Sequence, residues 1–578
     1  MPYDKYGSDV IVDMLNLYGI KYVPLNPGAS YRGLHDSIVN YGGNKPEIIE
    51  CTHEKIALGI AHGYSRVTKE PSAAIVHDLV GLLHSTLGVY YAYVDGAPVI
   101  LLGATGPMDA TRRRPYIDWI HTAQDQGDVV RDFMKWDDQP HTPAAVPESF
   151  ARAYRVVSTP PYGPAYLVYD SNLQEDPLLV DVPTVNPKRL MPPDPAALNP
   201  RTVETVAEML VQAKNPVMLA DMLGQNPVAV QRAAELAEML AMPVWDGGRR
   251  FNFANTNSLD VTGSRDTLAE ADVLFAVEVR NFDGPLTRLN RTTRETEEIL
   301  QPGCKIIDIS YRDSNIKAWA QTFLKLREVD VFATADPAIA LGQIADAVKG
   351  LLSKNGKADL KARRERVTLV HDNLRTAGLE RAKEGWNDKP MTLARLSWEI
   401  WQQIKDEDWV MTGAVLSGWN RRLWEFTEPD QFPGMPLGTG TQVGLSLGVA
   451  LAYKGTNKLV VSIQPDGDLM FDAGSLWIAA YHKMPMLVVM YNNRAYYNDW
   501  EHQIAIAKDR GRDEEMAYLG MELTHPAPDF GLLAKAMGWH GEGPIEDPNK
   551  LGPAIKRAIK HIKETGMPAL VDAVTQAR

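Results

Sequence analysis

Within residues 459–500, LVVSIQPDGDLMFDAGSLWIAAYHKMPMLVVMYNNRAYYNDW, the carboxylates of Asp466 and Asp468 flank Gly467, and the amides of Asn492 and Asn493 follow further on. Carboxylate and amide oxygens are hard donors that suit Mg²⁺, and a glycine between them lets a backbone come close to a ligand. Such a set, beside the start of a helix, would hold a divalent ion whose shell a diphosphate completes. The elements that position it are readable from the apolar runs. Residues 459–463 form a buried strand bounded by the turn residues Gln464 and Pro465, residues 471–482 a helix stopped by Lys483 and Pro485, and residues 486–491 a second strand. Strand, acidic turn, helix, strand and amide turn make one parallel βαβ unit. Both turns then fall at the sheet edge where open α/β sheets bind ligands. The residues alone imply a divalent ion and a phosphorylated cofactor.

A second group of reactive side chains lies near the other end of the chain. Glu54 opens a helix in HEKIALGIAHGYSR, directly after a strand at residues 48–51, where the helix dipole favours a carboxylate. His77 follows a strand at residues 73–76, and His84 precedes the next helix, at residues 85–93. Gln124 lies in HTAQD, and Arg112, Arg113 and Arg114 form the most cationic run of this region, suited to a carboxylate or a phosphate. Late in the chain, residues 437–444 (LGTGTQVG) are glycine-rich, and Tyr496, Tyr497 and Asn498 follow the amide turn. Residues 501–513, with Lys508, Arg510 and Arg512 among acids, read as a lid or a surface loop.

The 578 residues divide into three α/β regions, 1–185, 195–350 and 385–578, each with strands alternating with helices, so the fold class is α/β with three doubly wound parallel-sheet domains. A proline-rich connector at 180–200 separates the first two, and a charged helical segment containing KADLKARRERV, read as a solvated face, precedes the third. The middle region lacks a G-x-G-x-x-G, which leaves FAD or another dinucleotide there unsupported. A net charge of −13 argues against nucleic acid or an anionic membrane as partner. The two cysteines, Cys51 and Cys304, have no metal-ligand spacing. No apolar run reaches membrane-spanning length and the first residues do not read as a signal peptide, so a cytoplasmic location is expected.

The order of these motifs resembles the thiamine diphosphate (ThDP) dependent enzymes of the acetolactate synthase, benzoylformate decarboxylase and 2-hydroxyacyl-CoA lyase group. Asp466, Gly467 and Asn493 stand where the family's Gly-Asp-Gly…Asn-Asn motif requires them, with Pro465 replacing the first glycine. Asn26-Pro27-Gly28, Glu54, Gly63-Tyr64-Ser65-Arg66 and residues 95–100 follow the family's N-terminal pattern. The resemblance implies Mg²⁺ held by Asp466, Asn493 and the Ala495 carbonyl. It implies ThDP held by Pro27, Gly28, Glu54, Gly440, Thr441, Gly467, Asp468, Asn493 and Tyr496, with the three regions acting as pyrimidine-binding, central and diphosphate-binding domains. Glu54 would hydrogen-bond the pyrimidine from a fairly apolar pocket and act as a proton switch, with His77, His84 and Gln124 on the substrate side. Thr441 or a neighbour stands where the family has a bulky residue wedging the cofactor, which leaves the wedge unassigned. The implied activity is cleavage or joining of a carbon–carbon bond beside a carbonyl, on a 2-oxo acid, in a homodimer or homotetramer whose subunits share the site. The rival readings are a 2-hydroxyacyl-CoA or oxalyl-CoA lyase, with Arg112–Arg114 and Asn420-Arg421-Arg422 binding the nucleotide, and a non-catalytic ThDP-binding subunit. A flavin oxidase is disfavoured by the missing glycine fingerprint.

Overall fold

The computed structural model describes residues 5–290, 295–311, 322, 326–355 and 360–577. Its described strands fall into three parallel sheets and one hairpin. The first sheet contains β1 (Tyr22–Leu25), β2 (Glu47–Glu50), β3 (Ser72–Ile75), β4 (Val99–Thr105), β5 (Trp136–Asp138) and β6 (Ala165–Asp170) in the order β2-β1-β3-β4-β6-β5. The second contains β7 (Pro216–Ala220), β8 (Val244–Asp246) and β9 (Val273–Val277). The hairpin β10 (Thr287–Leu289) and β11 (Thr296–Glu298) interrupts it before β12 (Lys305–Ile309) and β13 (Val331–Ala333), and the sheet order is β13-β12-β9-β7-β8. The third contains β14 (Trp409–Gly413), β15 (Leu459–Pro465), β16 (Leu487–Asn492), β17 (His540–Ile545) and β18 (Ala569–Val574) in the order β14-β15-β16-β18-β17. The parallel α/β class expected from the alternating pattern is therefore the observed one.

Strand order decides where ligands sit. In the first sheet the chain passes from β1 to β2 on one side and then to β3 on the other, so a crevice opens between the carboxyl ends of β1 and β3, whose Leu25 and Ile75 are register partners. Asn26-Pro27-Gly28 and His77-Asp78 leave the sheet there. In the third sheet Pro465 of β15 pairs with Tyr491 of β16, so Asp466 and Asn493 emerge side by side.

Three helices tie these edges together. Helix α1 (Glu54–Thr68) is capped by His53, whose Nδ1 accepts from the Lys55 N–H at 3.1 Å, and ends at Lys69 with φ +62°. Helix α2 (Leu79–Asp95) runs beside it, and α3 (Gln442–Ala452) crosses it. Ile56 and Ile60 of α1 share a buried core with Val443 and Leu447 of α3 and with Val460 and Val488 under β15 and β16. Gly59 and Gly63 face Gly444 and Gly448 at the crossing, and a Cβ at Gly448 would stand 2.1 Å from the Ile60 carbonyl oxygen. Backbones this close exclude any side chain.

Several boundaries differ from the sequence reading. Gln464 and Pro465 are not a turn but the end of β15, and Asp466-Gly467-Asp468 are the first residues of helix α4 (Asp466–Phe471). The helix read over 471–482 is broken, restarting as Ser475–Tyr481, because Asp472 turns inward to meet Lys55 Nζ at 3.1 Å. The helix read over 85–93 starts earlier, at Leu79. The charged segment before the third region is helical over Leu360–Ala382, its residues 357–359 lying outside the described set, and it is not simply solvated. Arg363 donates to the carbonyl oxygens of Leu240 at 2.8 Å and Ala213 at 2.7 Å, closing the ends of two helices of the central region. No helix among the described residues is long and apolar enough to cross a membrane.

Candidate active site

The carboxyl ends of β15 and β16 border a cavity of about 670 Å³ whose lining includes Leu416, Gln442, Asp466, Asp468, Asn493 and Tyr496. Asp466 is 2% exposed. Its Oδ1 accepts from the Gly467 N–H at 2.9 Å and its Oδ2 from the Ala495 N–H at 3.0 Å, while Asn493 Oδ1 accepts from the same Ala495 N–H at 3.1 Å. The two donor side chains thus converge on one backbone turn, in which Arg494 takes φ +56°. Burial pushes the Asp466 carboxyl up to about 6, against hydrogen bonds that come from backbone N–H groups. A buried carboxylate facing a cavity without a side-chain countercharge is a site that a cation would stabilise. The oxygen donors present, Asp466 and Asn493 together with the carbonyl of Ala495, fit Mg²⁺.

Asn492 supports the turn: its Oδ1 accepts from the Arg494 N–H at 3.1 Å and its Nδ2 donates to Asp572 at 3.1 Å. Asp572 is fully buried, and burial pushes its carboxyl up to about 7. Gly467 is required by packing, since a Cβ there would lie 2.6 Å from the Tyr496 ring. Asp468 Oδ1 accepts from the Gly440 N–H at 2.7 Å, and its Oδ2 is buried with no hydrogen-bond partner. Gly440, at φ +76°, has no room for a Cβ, which would meet Phe471 at 2.5 Å. Thr441 donates from its hydroxyl to the Gly438 carbonyl at 2.9 Å and so leaves the first N–H groups of α3 uncapped by its side chain; the amino end of α3 faces the cavity through Gln442 and suits an anion.

Glu54 occupies a different place. It is 4% exposed, and its Oε2 pairs with His84 Nδ1 at 3.0 Å. His84 in turn stacks on His53 with ring centres 4.7 Å apart. Burial alone would raise the Glu54 carboxyl, but hydrogen bonds from its own N–H, from His84 and from Asn26 outweigh it and hold the group below its ordinary value. The fairly apolar pocket implied for this carboxylate is instead lined by imidazoles and an amide, which stabilise the anion. Gly81 lets α2 approach, because a Cβ there would stand 3.1 Å from Glu54 Oε1 and 2.9 Å from His77 Cβ. Gly28 likewise admits His77, whose ring would lie 2.6 Å from a Cβ.

The structure therefore brings Asp466, Asp468, Asn493, Ala495, Tyr496, Gly467, Gly440 and Thr441 to one edge, and Pro27, Gly28, Glu54, His77 and His84 to another. Glu54 and its histidines do not line the Asp466 cavity within one chain. Gln124 is exposed, whereas Gln126 is buried against the Ala104 carbonyl and Tyr166. Arg112 is paired with Asp176, Arg114 with Asp118 and Arg421 with Asp246. Residues 501–509 belong to a helix, Tyr497–Asp509, which has no buried residue, rather than to a loop.

Some residues at these edges carry no simple sequence signal. Leu416 and Ser417 line the cavity with φ +44° and +53°, conformations that side-chain-bearing residues seldom adopt. Lys55, Asp472, Ser30, Asp78 and His121 also stand beside the expected residues. Only the position of Asp78 after β3 could have singled it out.

Comparisons with known proteins agree with this geometry. Residues 5–131 match the family model for the N-terminal TPP binding domain of thiamine pyrophosphate enzymes, and residues 414–573 the C-terminal TPP binding domain. An acetolactate synthase of Bacillus subtilis is 22% identical over 570 residues, covering 96% of this chain and 91% of that one. A benzoylformate decarboxylase of Pseudomonas aeruginosa is 22% identical over 549 residues, covering 91% of each. In fold, the chain is similar to a benzoylformate decarboxylase from Polynucleobacter necessarius (TM-score 0.75, 16% identity, 99% of each chain covered). It is similar too to a thiamine diphosphate-dependent 4-hydroxybenzoylformate decarboxylase from Rhodococcus jostii (TM-score 0.74, 17% identity, 99% and 100% covered).

Proposed function

We propose, from the premise that this chain belongs to the thiamine pyrophosphate enzymes and carries both their N- and C-terminal TPP-binding domains, that it is a Mg²⁺-dependent lyase or carboligase acting on a 2-oxo acid. The observation that carries this reading is the convergence of Asp466 and Asn493 on the Ala495 turn at one face of the cavity. Asp466, Asn493 and the Ala495 carbonyl would hold the metal, and the amino end of α3 with the Gly440 turn would receive the diphosphate. When bound, ThDP supplies a carbon nucleophile and an electron sink for carbon–carbon cleavage next to a carbonyl.

The residues of this chain do the positioning. Glu54, kept anionic by His84 and Asn26, is a hydrogen-bond acceptor for a protonated ring nitrogen and holds or returns that proton. His77, half-buried and held by Ser30 at 2.8 Å, is placed to orient the substrate. Tyr496 and Leu416 wall the cavity against water.

The separation of the two half-sites supports a homodimer. Glu54 on one copy would complete the Asp466 cavity of another. The face of α2 supports this, since Leu83, Leu87 and Tyr90 are exposed at helical spacing, at 55%, 37% and 37%.

The test is a panel of 2-oxo acids incubated with the protein, Mg²⁺ and ThDP, with CO₂ and aldehyde measured. Release above the background of a Glu54→Gln variant is expected, and that variant should lose hydrogen/deuterium exchange at the cofactor C2. Unchanged exchange in Glu54→Gln removes Glu54 from the mechanism, and no turnover of any 2-oxo acid rejects the reading.

A further inference from the structure

The crevice between β1 and β3 holds a group of side chains of which the function above uses only His77. His77, Asp78 and His121 each present a ligand atom within 4.8 Å of the others. His77 and Asp78 leave β3 together, and His121 comes from the short helix Asp118–His121, with the two imidazole centres 5.2 Å apart and inclined at 55°. Rings tilted in this way do not stack, and both can aim at a common point.

The spacing separates a metal site from a hydrogen bond. His77 Nε2 lies 3.4 Å from Asp78 Oδ1. A ring N–H hydrogen-bonded to a carboxylate would close to about 2.7–2.9 Å. Two ligands bonded to one tetrahedral ion at about 2.0–2.1 Å stand roughly 3.3–3.4 Å apart.

The outer nitrogens are also arranged as ligating histidines require. His121 Nδ1 is 3.1 Å from the Ile117 carbonyl oxygen, an acceptor only, so Nδ1 carries the hydrogen and Nε2 keeps its lone pair. His77 Nδ1 is 2.8 Å from Ser30 Oγ, which accepts from it in the tautomer that frees Nε2. Ser30 is itself buried and accepts from the Asp78 N–H at 3.1 Å, so one hydroxyl fixes both neighbouring ligands. Anchored outer nitrogens of this kind orient histidines on metals. Asp78 is 1% exposed, and its Oδ1 also accepts from the Val80 N–H at 3.4 Å, which fixes the carboxylate at the start of α2.

We infer that His77, Asp78 and His121 form a second metal centre, for a divalent first-row transition ion such as Zn²⁺ or Co²⁺. Two imidazoles and one carboxylate select such borderline ions over Mg²⁺, which the all-oxygen set at Asp466 suits. Three protein ligands leave a coordination position open. His77 and Glu54 both flank the Gly81 backbone, and the open position would take a carboxylate or carbonyl oxygen of the substrate. This role rests on the proposed function, whereas metal uptake itself does not.

The test uses full-length protein saturated with Mg²⁺ and ThDP, titrated with Co²⁺ by visible absorption and with Zn²⁺ by calorimetry. One ion per chain is expected, with the intense visible bands of a low-coordinate Co²⁺ site. Ser30→Ala, which removes only an outer partner, should weaken uptake about 10–100-fold, and His121→Gln should exceed that loss. Both variants should retain the melting temperature and ThDP uptake of the parent. His121 lies on a short, partly exposed helix, so His121→Gln decides the matter if His77→Ala or Asp78→Asn fails to fold. The absence of a bound ion, uptake that His121→Gln leaves unmoved, or loss of uptake in His561→Ala, a variant of the stacked His540–His561 pair elsewhere, would overturn the inference. Failure of ThDP uptake with Co²⁺ still bound would instead count against the function proposed above.

Discussion

Gly448→Ala adds one carbon at the crossing of α1 and α3. That carbon would stand 2.1 Å from the Ile60 oxygen, 2.7 Å from the Tyr64 nitrogen and 2.8 Å from the Gly63 Cα. All three are backbone atoms, so no rotamer change relieves the contact and the helices must separate by about 1 Å. Overpacking of this kind costs about 1–3 kcal/mol, and replacing a helical glycine by alanine returns about 1 kcal/mol. The net loss is about 0–2 kcal/mol, or roughly 0–8 °C in melting temperature. The effect on activity is larger, because α1 begins at Glu54 and α3 directly follows Thr441. A misplacement of about 1 Å at such groups can lower a rate about 100-fold. Differential scanning fluorimetry and CO₂ release should therefore show a nearly intact protein with turnover down about 100-fold. Gly350→Ala, in a helix where the added carbon meets nothing within 4 Å, is the control and should leave turnover unchanged. Wild-type turnover in Gly448→Ala would refute the claim that the helix crossing sets the site.

Other perturbations test separate parts of the account. Gly467→Ala would push the Tyr496 ring, 2.6 Å from the new carbon, toward the cavity. Calorimetry should show ThDP affinity reduced on the order of 10-fold, equivalent to about 1.4 kcal/mol, with the unliganded melting temperature little changed. Acidification tests the buried charge cluster in which His62 and Arg66 contact Asp95 at 2.8 Å and 2.6 Å. Burial, followed by the arginines Arg66 and Arg250, pushes His62 down to about 4, so the unfolded chain binds a proton that the folded one refuses. Its contribution is fully present above pH ~6.5 and is lost as pH falls from there through about 4, on the order of 3 kcal/mol in all. Asp95, held well below the carboxylate range, shifts stability in the same direction. Because the buried carboxyls of Asp466 and Asp572, pushed up by burial, shift stability the opposite way, denaturant melts at pH 7 and pH 4.5 are compared with those of His62→Asn, which should lack this loss; the same pH dependence in both proteins would contradict it.

The βαβ unit of the third region was legible because its strands are continuous apolar runs and its donor residues sit at their ends. The chain hid the boundary at Gln464-Pro465 because Gln464 is polar yet fully buried, its amide nitrogen donating to the Ser462 hydroxyl at 2.7 Å. Strands of three residues, such as β8 and β13, are too short to carry a pattern. The surroundings of Glu54 were not legible. His84 lies 30 residues away in the chain and His121 further still, and only the order β2-β1-β3 brings their segments to one crevice. The positive φ of Leu416 and Ser417 is likewise imposed by tertiary packing rather than by residue type.

The central claim is that Asp466 and Asn493 anchor a divalent cation that grips a diphosphate. Protein stripped with chelator and refilled with Mg²⁺ should bind ThDP in calorimetry, one molecule per chain, with uptake abolished when Mg²⁺ is withheld and in Asp466→Ala. Uptake that is indifferent to Mg²⁺ and to Asp466→Ala, or no uptake at all, would contradict it.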